Sequence, residues 1–166
     1  MPRHTILQDP AIKKIWDAVD GHYPDIRFRT KYVGVTPVAE ADMKNEPGDP
    51  LQVSLCEQVK VSYRDLRRQC AEAVDCIGEE DLADFVGFSL VHEVGHHRLG
   101  HTEPEYRYIT KEKKAAFQCE ADQWAIREHR MLVECGVLPG VPAEKLKAFV
   151  TIAQRATANV GEQTDG

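Results

Sequence analysis

With 166 residues and a mass of 18.7 kDa, the chain can bury one core without disulfide or metal staples and is short for two domains. Hydrophobic residues make up 42% and charged residues 29%, the balance of an ordinary globular protein rather than a disordered or fibrous one. A net charge of −6 at pH 7 and a pI near 5.6 argue against nucleic acid or an anionic membrane as partner, because binding a polyanion needs a basic surface.

The first ten residues hold no apolar stretch long enough for a signal peptide, and nowhere do about 18 apolar residues run together to span a bilayer. The expectation is a cytoplasmic protein without a membrane segment. Cys56, Cys70, Cys76, Cys119 and Cys135 are odd in number and include no Cys-x-x-Cys pair, so reduced, mostly buried thiols are expected.

Residues 9–19 carry Ile12, Ile15, Trp16 and Val19 at helical spacing, with Asp9 placed to cap and Pro10 at the first helical position. Residues 26–33 alternate apolar and basic side chains, the pattern of a half-buried strand. Polar residues, Gly and Pro dominate 36–50, where 46–50 reads as a turn or exposed loop; 51–56 alternates again and, with Val59 and Val61, marks a second strand over 51–61 whose edge could pair with an extended peptide. Leu66, Cys70, Val74 and Ile77 predict a helix over 62–77 that Gly78 ends.

A helix over 81–99, closed by Gly100, follows from Leu82, Phe85, Val86 and Leu90. Val86, Leu90 and Val94 share one row that should face the core; Phe85, Ser89, His92 and His96 share another that should face a cleft. Residues 101–110 read as a loop beside that cleft, 112–135 as a helix stopped by Gly136, and a last helix starts near Pro142 before a frayed tail over 161–166. No repeat or second domain is visible, so one α+β domain spanning 1–160 is expected.

His92-Glu93-Val94-Gly95-His96 carries the chemistry. On a helix two imidazoles four residues apart project from one face and can share a metal, while Glu93 sits roughly 100° round, within reach of a water on that metal. This is the geometry of a zinc hydrolase, with Zn2+ as cofactor and Glu93 as general base. Hydrolytic zinc commonly takes three protein ligands and leaves a fourth position for water. The best third ligand is Glu120, on a helix that can fold back antiparallel to the first, with Glu103 and Glu105 as alternatives and Asp122 available to support a ligand histidine. His101 falls nine residues after His92 rather than ten and so misses the spacing of three-histidine zinc peptidases. His101, Tyr106 and Tyr108 are the candidates for steadying a developing oxyanion. His97 points away from the ligand row and reads as a partly exposed structural residue, and Cys119 reads as a small buried hydrophobe.

His92-Glu93-Val94-Gly95-His96, Leu99-Gly100-His101 and Glu120-Ala121-Asp122-Gln123-Trp124-Ala125 together resemble the gluzincin metallopeptidases of the ImmA/IrrE type and related small families. The resemblance covers residues 82–127. It implies a small zincin-like domain in which the HExxH helix and a Glu-bearing helix pack against a short mixed or antiparallel sheet. It also implies His92, His96 and Glu120 as zinc ligands, Glu93 as base, a protein or peptide substrate and a regulatory protein partner. The helix-like segment between the 51–61 strand and the histidine helix departs from the common pattern, as does Gln123-Trp124. A module that keeps zinc for stability and binds a partner without cutting it is the competing expectation, and hydrolysis of a non-peptide amide is a third.

Overall fold

The computed structural model describes residues 5–32, 38–72 and 74–164, without the side chains of 159–164. His4, Val33, the start of the polar stretch over 36–50 and the last two residues of the expected tail lie outside the described residues. Among those residues the fold is α+β. Its helices are α1 (Pro10–His22), α2 (Val59–Gln69), α3 (Leu82–Arg98), α4 (Lys111–Glu134) and α5 (Ala143–Thr164). Its strands are β1 (Ile26–Lys31), β2 (Ala39–Ala41) and β3 (Leu51–Cys56).

Asp9 starts α1 as its residue type dictates: one carboxylate oxygen accepts from the N–H groups of Ala11 and Ile12 at 3.0 and 3.3 Å. The helix then buries Ile12, Ile15, Trp16 and Val19. The sheet is mixed, in the order β1-β3-β2. β1 runs parallel to β3 with Ile26 opposite Leu51, and β2 runs antiparallel with Ala41 opposite Val53. β3 is therefore bonded on both sides and is not the strand a peptide could extend. The edges are β1 and β2, and β2 is three residues inside the polar stretch over 36–50, too short to show an alternating pattern.

α2 begins earlier and ends earlier than its apolar spacing predicts. It buries Val59, Tyr63 and Leu66, and the chain leaves the helix at Cys70. Val74 and Ile77 still reach the core, but from a loop whose carbonyls are held by α2 side chains: Tyr63 donates to the carbonyl of Gly78 at 2.7 Å and Arg67 to that of Ile77 at 3.1 Å. Apolar spacing cannot separate a fourth helical turn from such a returning loop.

α3 is the hub. Packed by α1, α4, α5 and the sheet, it buries residues all round its circumference rather than along one stripe. Phe85 accordingly faces the core, against Tyr63 and Phe149 with ring centroids 5.0 and 5.6 Å away, and not the cleft. The helix ends at Gly100, whose φ of 76° is a left-handed conformation that favours glycine. Only Cys56 is fully buried among the five thiols; Cys119 and Cys135 are exposed, against expectation. α5 continues as helix to Thr164, past the start of the expected tail. No helix among the described residues is long and apolar enough to cross a membrane.

α3 and α4 cross antiparallel, since Phe88 meets His129, His92 meets Asp122 and His96 meets Gln118. Gly95 sets how closely they approach: a Cβ there would stand 2.9 Å from Cε3 of Trp124 and 3.5 Å from the carbonyl oxygen of Ala121. A rigid indole cannot fold away from that contact. Gly95→Ala should cost ~1–3 kcal/mol by overpacking, of which the better helix former returns about 1. The net loss should lower the melting temperature by about 2–4 °C per kcal/mol, read by thermal unfolding of both proteins.

Candidate metal centre

His92 and His96 stand one helical turn apart on α3, and their Nε2 atoms lie 3.1 Å from each other. Each ring is fixed from behind. Nδ1 of His92 is 2.8 Å from Oδ1 of Asp122 on α4, and both atoms are buried without another partner among the described residues. Nδ1 of His96 is 3.0 Å from Nδ1 of His101, whose Nε2 is 2.7 Å from Oε2 of Glu120.

Those partners set the tautomers, because an ionised carboxylate only accepts. Asp122 keeps a proton on Nδ1 of His92, and Glu120 keeps one on Nε2 of His101. That leaves Nδ1 of His101 as an acceptor, so His96 donates to it from Nδ1. Both Nε2 lone pairs are thereby turned toward one point. The side-chain oxygen of Gln118 faces the same point, 2.9 Å from Nε2 of His92 and 3.3 Å from Nε2 of His96. Three acceptors converging on one point need a donor or a positive charge among them, and a metal cation fits that donor set. The same preference shows in protonation. Burial alone would lower the pKa of His92, but the hydrogen bond to Asp122 and the charges of Glu93 and Asp122 raise it. His96, held well below the usual histidine range by burial and then by its neighbours His92 and His101, stays neutral.

Glu93 completes the buried group: His92, Glu93 and His96 each offer a ligand atom within 4.8 Å of the others, and together they can hold a metal ion. Its Oε2 accepts from the N–H of Ala41 on β2 at 2.8 Å, and its Oε1 lies 4.0 Å from Nε2 of His92. Burial raises its pKa to about 7 against the opposing charge of His92 and the Ala41 hydrogen bond.

Glu120 is not where the third ligand was expected. Its carboxylate sits on His101 and its side chain is 55% exposed, because two residues along a helix is roughly 200° of rotation from the position that meets the histidines. Gln118 occupies that position. A signal for it lay in the sequence: Gln118 precedes Asp122 by four residues, the same one-turn spacing as His92 and His96. Glu103 pairs with Lys44 at 2.6 Å and Glu105 is exposed, so neither replaces it.

His101 has both ring nitrogens committed and stacks on Phe117 with centroids 3.8 Å apart, which removes it as an oxyanion donor. Tyr106 lines the cleft with its ring edge-on to Phe117; Tyr108 is 90% exposed. His97 is buried rather than partly exposed, bonded to Oγ1 of Thr102 and the carbonyl of Gln52, both at 2.7 Å. It ties the end of α3 to β3.

The group opens into a cavity of about 840 Å³. β2 and the histidine face of α3 form part of it, and Phe88, Met43, Ile109, Phe117 and Ala156 make much of the wall apolar. Such a cleft, concave and apolar with a few converging polar groups, is the usual form of a small-molecule or peptide site. The chain matches no protein-family model, no curated protein and no solved structure with which it was compared.

Asp122→Ala should leave Nδ1 of His92 buried and unpaired. Divalent-metal affinity, measured by competition with a chelator, is expected to fall about 10–100-fold.

Proposed function

We propose that the chain is a zinc-dependent metallopeptidase that hydrolyses a peptide bond in a protein or peptide substrate, in line with the gluzincin resemblance of its motifs. The observation that carries this reading is the convergence of two imidazole lone pairs beside a buried carboxylate at the wall of a large cleft. When bound, zinc supplies Lewis acidity, which makes water nucleophilic at neutral pH and polarises a carbonyl.

The rest falls to the chain's own residues. His92 and His96 hold the metal through Nε2, and Asp122 and the His101–Glu120 pair keep those nitrogens deprotonated. Glu93 is the general base. With Oε2 anchored on the Ala41 amide, Oε1 is the oxygen that takes the attacking water's proton and delivers it to the leaving amine. Tyr106 is the group at the cleft wall suited to steady a developing oxyanion. β2, at the sheet edge beside the cleft, provides a line along which an extended peptide can lie. Cytoplasmic residence and a regulatory protein partner belong to the same reading, and five free cysteines are in keeping with a reducing compartment.

A second reading, a non-catalytic regulatory module stabilised by zinc, is favoured by one observation: the side chain completing the histidine pair is a neutral amide rather than a carboxylate. Glu93→Gln separates the possibilities. Hydrolysis of a peptide library should fall about a hundredfold to ten-thousandfold while zinc content, measured by elemental analysis, stays stoichiometric. Activity that survives would remove Glu93 as base, and zinc that disappears would make it a ligand. A wild-type protein that binds zinc, melts on chelation and cleaves nothing would favour the module.

A further inference from the structure

Resting on the metal-binding part of the reading above, we propose that Gln118 supplies the third protein donor, an amide oxygen, so that the ion is held by a neutral donor set and exchanges readily. Apart from Oε1 of Glu93, which the reading above assigns as the base, each nearby carboxylate oxygen that could face the pair is engaged elsewhere. Glu120 is on His101, Asp122 is behind His92, Glu103 is on Lys44, and Oε2 of Glu93 is on the Ala41 amide. The side chain that faces both Nε2 atoms is that of Gln118.

α4 thus grips the histidine pair from two sides. One turn separates Gln118, in front of the pair, from Asp122, behind His92. A carboxylate in front would cancel one unit of the ion's charge and bind it tightly. An amide cancels none. The ion keeps its full double charge, which makes it a stronger Lewis acid and a more weakly held guest, since affinity at such sites follows the charge count of the ligands. Metal supply would then set how much of the protein is loaded.

The test titrates the full-length, metal-free protein with Zn2+ against a competing chelator, and with Co2+ followed by its visible absorption. Wild type, Gln118→Glu, Gln118→Ala and Glu120→Gln are compared after thermal unfolding has shown that each metal-free variant is folded. Gln118→Glu keeps the side chain's size and should tighten zinc by about tenfold or more, with an altered Co2+ spectrum that reports a changed donor. Gln118→Ala should weaken zinc by about tenfold or more, and Glu120→Gln should weaken it less than Gln118→Ala and leave the Co2+ spectrum alone. Zinc affinity indifferent to residue 118, loss of zinc on changing residue 120 but not 118, or a wild type that takes up no zinc would overturn the proposal. None of these readouts requires turnover. A protein that binds zinc through Gln118 and cleaves no peptide would count against the peptidase alone.

Discussion

A helix packed on nearly every side must find partners for most of the polar side chains it turns inward, and α3 turns four inward in its last two turns, His92, Glu93, His96 and His97. Their partners come from different parts of the chain: Asp122 and Gln118 from α4 for His92, the Ala41 amide from β2 for Glu93, His101 from the following turn for His96, and Thr102 with the Gln52 carbonyl for His97. An unpaired polar group in that interior would cost on the order of 1–3 kcal/mol. The fold is completed when α4, β2 and the turn after α3 are all in place, and their arrival also builds the candidate metal centre. Stability and the geometry of the site share the same hydrogen bonds.

The close crossing of α3 and α4 makes those bonds possible. Gly95 removes a side chain where Trp124 lies, so Asp122 comes within 2.8 Å of His92 while Phe88 and His129 still pack farther along. The same crossing explains why Glu120 faces outward. With Asp122 fixed behind His92, rotation along α4 carries residue 118 round to the histidine Nε2 atoms and residue 120 toward His101. A pair of imidazoles and a carboxylate on each flank remains, but the carboxylates act through hydrogen bonds to the rings.

Much of this was legible in the sequence, and the misses share a cause. The α1 cap, the extent of α3, the α4 helix and the cleft-facing pair His92 and His96 follow from residue types at fixed spacings, which is local information. β2, the early end of α2, the inward turn of Phe85 and the commitment of His101 depend on what other segments place opposite them. Three residues of strand leave no periodicity to read, and Val74 and Ile77 are apolar for the core's sake whether or not they are helical. Glu120 reads as the third ligand because its helix can fold back across the histidine helix and the family resemblance puts a glutamate there; rotation about the helix axis instead turns Gln118 toward the histidines.

The bond from the Ala41 amide to Glu93 ties the sheet to the candidate centre. The strand that borders the cavity also aims Glu93, so a guest pressing that strand outward would loosen the carboxylate's anchor, and one that seats it would tighten the aim. Occupancy of the groove and the orientation of Glu93 are thus mechanically linked through a single main-chain amide.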